Sequence, residues 1–378
     1  MTVQEVLQLN LIEKQFQESK QFFKTHQTKD IKFRKQQLKL LSKSIKDHET
    51  ELLESLKIDL GKGSVEAYAT EIGILLKSIK TARKELKNWA KTKQVDTPLF
   101  MFPSKSYIKP EPYGTILIIG PFNYPVQLLF EPLIGAIAAG NNAIIKPSEL
   151  TPHVAQVVRK VIEDVFTSDF VAVVEGGVEE TQTLINLPFD YIFFTGSENV
   201  GRIVYEAASK NLVPVTLELG GKSPVIVDET ANIKVASDRI SFGKFTNAGQ
   251  TCVAPDYILV NRKVKNELIQ AFKQSIEEFY GKNIQNSPDF GRIVNTKHFN
   301  RLSELLAIHR NEVIFGGHTD ENEQYIEPTI LDGITPQSKI MEEEIFGPLL
   351  PIIVYDDFNE AIGIIQSKSK PLSLYLFS

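Results

Sequence analysis

The stretch Gly114-Thr115-Ile116-Leu117-Ile118-Ile119-Gly120 decides the fold class of this sequence. It is a continuous apolar run, which is typical of a parallel strand buried on both faces of a sheet. Short apolar runs recur after it, with helical patterns between them. This alternation predicts a doubly wound, Rossmann-type α/β sheet with right-handed crossovers, in which ligands bind beyond the carboxyl ends of the strands.

The pattern extends over two regions of the chain. In the first, strands are predicted at 114–120, 143–145, 171–174, 191–194 and 213–217, and helices at 126–139, 152–166, 179–186 and 200–209. A second α/β pattern begins after Lys222. Its predicted strands are 223–227, 257–260, 325–329, 349–355 and 372–377, and its predicted helices are 236–245, 264–280 and 358–366.

The region before Gly114 has a different character. Residues 3 to 93 are predicted to be helical, because Leu9, Ile12 and Phe16 recur at roughly helical spacing. The prolines in 96–103 end the helices, and residues 104–111 alternate enough to form an extended arm.

Length and composition set limits on function. A chain of 378 residues can bury the cores of two domains, and 42% apolar with 24% charged residues is ordinary for a globular protein. The net charge of −5 argues against a general nucleic-acid binder. One cysteine excludes an intramolecular disulfide, and the six histidines show no ligand spacing, so we expect no metal site.

The beginning of the chain, MTVQEVLQLNLIEKQF, carries acids within its apolar pattern and lacks the core of a secretory signal. No apolar run approaches the ~18 residues of a membrane-spanning helix. We therefore expect a cytoplasmic protein without a transmembrane segment, and leave peripheral membrane contact open.

The single cysteine, Cys252, ends the stretch Phe-Thr-Asn-Ala-Gly-Gln-Thr-Cys at 245–252. One interpretation is a small buried hydrophobe, the commonest role of a lone intracellular cysteine. The other is a nucleophile, because small polar residues precede Cys252 and suit a thiol at a helix entrance, where N–H groups lower its pKa. Glu218, which precedes Leu219-Gly220-Gly221-Lys222, supplies a carboxylate that could act as a base.

These two motifs, at 218–222 and 245–252, closely resemble the aldehyde dehydrogenase superfamily, and the sequence as a whole resembles its class 3-like branch. The resemblance implies a cofactor domain at 1–217, with an oligomerisation arm at about 96–111, and a catalytic domain at 218–378. It also implies a homodimer. Family members continue for several tens of residues beyond the position of Ser378, so the catalytic domain is expected to be incomplete in this sequence.

The resemblance assigns three catalytic roles. Cys252 attacks the aldehyde carbon, and Asn123 of Pro121-Phe122-Asn123-Tyr124-Pro125 stabilises the oxyanion together with the Cys252 N–H. The thiohemiacetal passes a hydride to the nicotinamide, and Glu218 activates water to release the acid from the thioester.

The resemblance also implies a dinucleotide site. Lys146 and Glu149 would bind the adenosine ribose, which favours NAD, although the class 3-like branch leaves NADP open. The turn after the strand at 191–194 would face the cofactor phosphates, and Glu344 and Phe346 would hold the nicotinamide ribose and ring. The predicted cofactor residues are Lys146, Glu149, Thr195, Gly196, Ser197, Gly201, Leu219, Gly220, Glu344 and Phe346.

The substrate is expected to be a hydrophobic aldehyde, such as a long-chain aliphatic, aromatic or terpenoid or carotenoid aldehyde, as in the class 3-like branch. Phe122 and Tyr124 could line an apolar tunnel for it, or could simply pack in the core. Two alternative functions remain at this stage. One is a cofactor-independent thiol acyltransferase or hydrolase, and the other is a catalytically silent family member.

Overall fold

A computed structural model describes the backbone of residues 3–378 and the side chains from Asn10 onwards. Met1, Thr2 and the side chains of residues 3–9, including Leu9 of the helical pattern, lie outside the described residues. The chain divides into two compact units. The first unit ends at Glu218 and excludes Leu56–Ala67, which belongs with Leu219–Ser378 in the second unit.

The region before the first sheet is helical, as predicted. Asp30 begins the second of these helices by accepting a hydrogen bond from the Lys32 N–H at 2.9 Å. One face of the last helix is buried through Leu75, Ile79 and Leu86, which follow the predicted helical spacing. The helices are α1 (Val3–Lys24), α2 (Ile31–Asp47), α3 (Glu49–Leu60), α4 (Ser64–Ala67) and α5 (Gly73–Trp89), with a π-helical turn at Tyr68–Ile72.

The predicted arm is a pair of short strands rather than one extended segment. Strand β1 (Lys93–Val95) begins before the predicted arm and pairs antiparallel with β2 (Ser106–Ile108). Between them the chain makes a 3₁₀ turn at Leu99–Met101. Leu99, Phe100 and Phe102 are 89%, 86% and 82% exposed, so this turn presents apolar side chains to solvent.

The first unit contains the doubly wound sheet that the apolar runs predict. Its strands are β3 (Thr115–Ile119), β4 (Asn142–Lys146), β5 (Val171–Val173), β6 (Tyr191–Gly196) and β7 (Val215–Leu219). They lie in the order β5-β4-β3-β6-β7, with β3 parallel to both β4 and β6. The intervening helices are α6 (Gln127–Ala139), α7 (Pro152–Glu163), α8 (Val178–Asn186) and α9 (Glu198–Ser209). Because the strand order reverses at β3, the sheet has a switch point between β3 and β6.

The second unit is built around a mixed sheet in the order β10-β13-β14-β9-β8-β15. Only the pairing of β10 with β13 is antiparallel among the described strands of this sheet. Its strands are β8 (Pro224–Val227), β9 (Tyr257–Asn261), β10 (Val313–Phe315), β13 (Thr329–Leu331), β14 (Leu349–Tyr355) and β15 (Tyr375–Phe377), beside the hairpin of β11 (Thr319–Asp320) and β12 (Tyr325–Ile326). Its helices are α10 (Ile233–Phe245), α11 (Lys265–Tyr280), α12 (Thr296–Ile308) and α13 (Phe358–Gln366).

Several details of the second unit differ from the sequence prediction, among them strands β10 and β11, which were not predicted. The single strand expected at 325–329 is divided between β12 and β13, because Pro328 has no N–H for a ladder. Helix α12 was not predicted, although Asn295 caps it by accepting from the His298 N–H at 2.9 Å. The strand expected at 372–377 begins only at Tyr375.

The segment Leu56–Ala67 lies far from the rest of the second unit in sequence but packs within it. The Leu60 carbonyl accepts from the Arg292 N–H at 2.8 Å. A Cβ on Gly61 would lie 2.7 Å from Cγ of Arg292, so the two segments are in close contact. The domains predicted from sequence, 1–217 and 218–378, are contiguous stretches and therefore assign this segment to the first domain.

Candidate active site

Three predicted motifs of the first unit lie at one edge of its sheet. Lys146 ends β4, the segment 121–125 follows β3, and Thr195 and Gly196 end β6. The Gly120 N–H donates to the Lys146 carbonyl at 3.0 Å, so the ladder continues to the edge where the motifs begin. The carboxyl ends of parallel strands at a switch point are where open α/β sheets bind ligands.

Asn123 lies in the loop between β3 and α6 and is 3% exposed. The start of α6 is held by the buried carboxylate of Glu71, which accepts from the Val126 N–H at 2.9 Å and the Gln127 N–H at 3.2 Å. Helix starts leave N–H groups without internal partners, and Glu71 satisfies two of them. Glu71, which the sequence analysis missed, therefore fixes the chain immediately after Asn123.

Lys146 is 2% exposed, which excludes the solvent-exposed lysine that is usual at such a position. Its Nζ donates to Oε2 of Glu149 at 2.6 Å. The Glu149 side chain is 46% exposed, so the pair runs from the buried end of β4 to the surface. The two residues predicted to bind the adenosine ribose are thus brought into contact.

The turn after β6 leads directly into helix α9. Ser197 caps the helix by accepting from the Val200 N–H. Thr195 is 8% exposed, and its Oγ1 has no hydrogen-bond partner among the described residues. The Gly201 N–H donates to the Ser197 carbonyl at 2.9 Å within the helix, so any contribution of Gly201 comes from its lack of a side chain.

Glu218 and Leu219 lie at the end of β7, with Glu218 exposed and Leu219 half-buried. The division between the two units falls between them.

Cys252 is half-buried in a turn between α10 and β9. The expectation of a thiol at a helix entrance was wrong, because the helix precedes the cysteine. After α10 the backbone enters the left-handed region at Asn247, Ala248 and Gly249, with φ of 53°, 52° and 77°. These angles end the helix and turn the chain towards Cys252, and a left-handed conformation is strained for a residue such as Ala248.

Gln250 fixes this turn from within the second unit. It is 1% exposed, and its Nε2 donates to the Asn247 carbonyl at 3.0 Å and to the Arg292 carbonyl at 2.9 Å. Its Oε1 accepts from the Val294 N–H at 3.0 Å. The loop before Cys252 is therefore held rigidly, as a positioned nucleophile requires.

Two motifs that are far apart in sequence meet in the second unit. A Cβ on Gly220 would lie 2.2 Å from Oε2 of Glu344, and the Gly221 N–H donates to the same carboxylate. Glycine at 220 thus makes room for the glutamate. Phe346 has a φ of 49°, a strained conformation of the kind that occurs at ligand sites.

A buried ion pair fixes the Glu344 segment. The ammonium of Lys222 contacts Asp256 and donates to the carbonyls of Ile340 and Glu343 at 2.9 and 2.8 Å. Asp256 also accepts from the Ile345 N–H at 2.9 Å. This pair was not predicted from sequence, although Asp256 lies just before a predicted apolar strand, which was a usable signal.

The electrostatics around Glu344 are unusual. Burial and the nearby Asp256 raise the pKa of Glu344 to about 7. Burial lowers the pKa of Lys244, a fully buried lysine of α10, to about 8. Shifts of this size are characteristic of functional sites.

Each unit, taken by itself, offers residues that suit a part of a dinucleotide. The first unit offers an unpartnered buried hydroxyl at Thr195, a helix start at α9 and the Lys146–Glu149 pair, all at the ligand-binding edge of the sheet. The second unit offers a carboxylate at Glu344 with a glycine against it. Among the described residues, no group of three or more His, Cys, Asp or Glu side chains is arranged to hold a metal ion, and no helix is long and apolar enough to cross a membrane.

Fold and motifs together define an α/β oxidoreductase that combines a nucleotide-binding sheet with a cysteine-bearing second unit. A profile of the aldehyde dehydrogenase family matches residues 4–378. The chain belongs to the aldehyde dehydrogenase family, whose members are NAD(P)-dependent oxidoreductases.

Several relatives are closely similar. The chain is 70% identical over 370 residues to 4,4'-diaponeurosporen-aldehyde dehydrogenase of Staphylococcus aureus, covering 98% of this chain and 81% of that protein. It is 43% identical over 367 residues to aldehyde dehydrogenase family 3 member A2 of Macaca fascicularis, covering 97% and 75%. It is also 43% identical over 360 residues to a dimeric NADP-preferring aldehyde dehydrogenase of Rattus norvegicus, covering 95% and 79%. These relatives confirm the predicted class 3-like branch.

Among solved structures, the chain resembles the substrate-bound state of AldH of Staphylococcus aureus. The TM-score is 0.96 at 70% identity, with 97% of this chain and 80% of that chain covered. This similarity confirms the predicted aldehyde dehydrogenase fold.

Proposed function

We propose that this chain oxidises a hydrophobic aldehyde to its carboxylic acid, with Cys252 as the nucleophile. The observation that supports the assignment most directly is the Cys252 turn. The only cysteine of the sequence lies in a strained, tightly bonded loop and is half-buried, rather than sealed in the core. Because a strained backbone conformation costs free energy, a side chain held by such a loop is expected where function requires it.

The catalytic residues each have one task. The Cys252 sulfur adds to the aldehyde carbon, and the Asn123 amide and Cys252 N–H donate to the oxyanion. Glu218 takes a proton from the water that releases the acid from the thioester. The bound dinucleotide supplies the hydride acceptor.

The residues that would hold the dinucleotide are the ten predicted from sequence. Glu149 would accept from the adenosine ribose hydroxyls, which favours NAD over a 2′-phosphate. The rat relative prefers NADP, so comparison of the two cofactors with this chain and with Glu149→Gln tests the assignment. We expect the preference for NAD to fall in Glu149→Gln.

The substrate proposal follows the Staphylococcus aureus relative, whose name assigns it a carotenoid aldehyde. Phe122 is half-buried and Tyr124 is 9% exposed, and we propose that both contribute to an apolar substrate channel. A panel of aldehydes of increasing chain length, followed by NADH absorbance, tests this. Equal kcat/KM for short polar and long apolar aldehydes would contradict it.

The nucleophile is tested by substitution. We expect Cys252→Ser to lower aldehyde oxidation by at least ~10³-fold, because a serine hydroxyl stays protonated where a thiolate can form. NADH binding, measured by nicotinamide fluorescence, should stay unchanged. Wild-type oxidation by Cys252→Ser would exclude the mechanism.

The oxyanion donor and the base give different kinetic results. Asn123→Ala should lower kcat by ~10²–10³-fold, as loss of one such donor does elsewhere.

Glu218→Gln should instead give a burst of NADH near the enzyme concentration, followed by slow turnover, since the thioester accumulates. Absence of a burst in Glu218→Gln would assign the base to another residue.

We also propose a cytoplasmic homodimer that uses the β1–β2 arm. The exposed Leu99, Phe100 and Phe102 support an interface there, since contiguous exposed apolar side chains mark interaction sites. Sedimentation velocity should show a dimer, and the triple variant Leu99→Ser, Phe100→Ser, Phe102→Ser should shift it towards monomer. A wild-type monomer at micromolar concentration would contradict the proposal.

A further inference from the structure

Four parallel strands of the second unit start at the same edge of its sheet. Strands β14, β9, β8 and β15 are adjacent in that order and run in one direction. Three of them follow segments with predicted site residues, because Glu344 precedes β14, Cys252 precedes β9 and Gly220 precedes β8. The segment before the fourth strand, residues 371–374, carries none of the predicted site residues.

This segment packs against the start of β8. A Cβ on Gly221 would lie 3.2 Å from Cα of Pro371, so the two backbones are in close contact. The Ser373 hydroxyl lies 3.2 Å from Oγ of the buried Ser223, which comes immediately before β8. Tyr375 is the first residue of β15, and the ladder with β8 fixes its backbone at this edge of the sheet.

The Tyr375 side chain reaches the turn that carries the single cysteine. Cys252 and Val253 are the two central residues of this turn. The Ala254 N–H closes it by donating to the Thr251 carbonyl at 3.0 Å. The Val253 carbonyl accepts instead from the Tyr375 hydroxyl at 2.5 Å, which is short for a hydrogen bond between two oxygens.

Hydrogen bonds from other segments therefore fix the chain on both sides of the cysteine. Gln250 fixes the backbone two residues before Cys252, and Tyr375 fixes the carbonyl one residue after it. Tyr375 is half-buried, so water can replace its hydroxyl on that carbonyl at little cost in stability. Loss of the hydroxyl should thus affect the orientation of the turn more than the stability of the fold.

We propose that Tyr375 is a positioning residue for the nucleophile, whose hydroxyl fixes the Val253 carbonyl so that the Cys252 turn keeps one orientation towards the aldehyde. The proposal rests on the proposed function, which assigns the nucleophile to Cys252. Tyr375 acts through the Val253 peptide and takes no part in making or breaking bonds.

The test compares Tyr375→Phe with Tyr355→Phe. Each substitution removes only a hydroxyl that donates to a backbone carbonyl, since Tyr355 donates to the Val227 carbonyl at 3.2 Å. Tyr355 and Val227 end β14 and β8, so their bond lies at the edge of the sheet opposite to Cys252. Because Tyr355 is 1% exposed, its variant should lose at least as much stability as Tyr375→Phe.

The kinetic measurement is the rate of NADH formation in a single turnover at saturating aldehyde. It should fall about tenfold or more in Tyr375→Phe, since displacing a reacting group by about 1 Å can cost ~10²-fold. Tyr355→Phe should keep the wild-type rate. The rate of Cys252 alkylation by iodoacetamide should stay within about twofold in both variants, because alkylation needs a thiolate but no particular orientation of it.

Hydrogen–deuterium exchange tests the contact without requiring activity. Exchange at the Ala254 amide, whose hydrogen bond closes the turn, should accelerate in Tyr375→Phe and stay near the wild-type rate in Tyr355→Phe. Unchanged exchange in Tyr375→Phe would overturn the proposal, because the hydroxyl would then not fix the turn.

Ser373→Ala provides a graded comparison. The Ser373 Oγ lies 3.5 Å from the Val253 carbonyl, so it is a weaker donor to that carbonyl than Tyr375 is. Its variant should lose less of the single-turnover rate than Tyr375→Phe. Equal losses in the two variants would contradict the assignment of the positioning role to Tyr375.

Other kinetic outcomes also decide against the proposal. A wild-type single-turnover rate in Tyr375→Phe would show that the bond is not needed for orientation. An equal loss in Tyr355→Phe would indicate an effect of stability. A parallel loss of alkylation in Tyr375→Phe would indicate a change in the ionisation or exposure of the thiol rather than in its orientation.

Failure of the proposed function has a different signature. A wild type that forms no NADH from any aldehyde, or a Cys252→Ser protein that forms it at the wild-type rate, would refute the assignment of Cys252. The catalytic role of Tyr375 would then fall with it, whatever the exchange at Ala254 shows. A normal wild type with an unaffected Tyr375→Phe protein would refute only the positioning role.

Discussion

At the scale of single residues, the site depends on side chains that are absent as much as on those that are present. Gly220 allows the Glu344 carboxylate to lie against its backbone, where a Cβ would approach Oε2 to 2.2 Å. Ala248 and Phe346 adopt left-handed backbone conformations despite their side chains. Each costs about 1–3 kcal/mol, which their surroundings must offset.

We expect Gly220→Ala to impair cofactor binding more than stability. The new methyl group would displace the end of a flexible side chain rather than backbone, so the fold can adjust by moving Glu344. Loss of a hydrogen bond to a charged group costs about 1.5–3 kcal/mol, so NADH affinity should fall about tenfold or more.

Gly363→Ala is the matched control for Gly220→Ala. Gly363 lies in α13, and a Cβ there would meet nothing within 4 Å. It should leave NADH affinity unchanged and leave the melting temperature unchanged or slightly higher, because alanine is the better helix former. A Gly220→Ala protein that melts far below the wild type but binds NADH normally would contradict the argument.

At the scale of elements, the proposed site residues are positioned by the starts of helices and the ends of strands. Helix α6 begins directly after the Asn123 loop, and its first N–H groups are held by Glu71 from a π-helical turn. A buried carboxylate at a helix start accepts hydrogen bonds from the free N–H groups and also interacts favourably with the helix dipole. By capping α6, Glu71 therefore helps to position Asn123, the proposed oxyanion donor, although Glu71 is not itself a proposed catalytic residue.

We expect Glu71→Leu to destabilise the first unit by about 1–3 kcal/mol, because it leaves buried N–H groups without an acceptor. If the cap positions Asn123, kcat should fall while the aldehyde KM stays nearly constant, since the oxyanion forms only in the transition state. Urea denaturation and steady-state kinetics measure the two effects.

Glu71→Gln retains an acceptor oxygen and serves as the control for the cap. It should recover most of the stability and most of kcat. A Glu71→Leu protein with reduced stability but wild-type kcat would show that the cap supports the helix without positioning Asn123.

At the scale of the whole molecule, each unit has its own core, and the second unit also encloses several charges. Lys222, Lys244 and Asp256 are all buried there. Buried charges cost free energy unless they are paired, so the second unit should show a marked pH dependence of stability.

We expect the wild type to gain stability relative to Lys244→Met as the pH rises from about 8 to 10.5. The unfolded lysine keeps its proton up to 10.5, whereas the buried lysine releases it near 8, so alkali favours the folded state. The difference should be on the order of 3 kcal/mol across this interval.

Urea denaturation of both proteins at several pH values, followed by circular dichroism, provides the measurement. Lys282→Met, at a side chain that is 90% exposed, is the control and should show no such difference. Parallel stability curves for the wild type and Lys244→Met over this interval would show that Lys244 titrates normally.

The accuracy of the sequence predictions also varied with scale. The continuous apolar runs gave the strands around β3 to within a few residues, because parallel strands buried on both faces have little freedom in composition. Helix α12 was not predicted, although Asn295 supplies its cap and Phe299, Leu302 and Leu306 recur at helical spacing on its buried face. Cys252 lies after a helix rather than at the start of one, because the backbone at Asn247 and Ala248 is left-handed. Neither residue type requires that conformation, so the sequence did not predict it.

By itself, the sequence determined the α/β class, the two sheet regions, the family and the residues proposed for catalysis and cofactor binding. The class and the sheet regions follow from local periodicity, the family from motifs that are contiguous in the chain, and the residue roles from the resemblance to that family. Contacts between distant segments established that Leu56–Ala67 packs within the second unit, that Gly220 lies against Glu344 and that Lys222 and Asp256 form a buried ion pair. The reason is that burial and electrostatic compensation arise between segments distant in sequence, and no local pattern encodes which of them will meet.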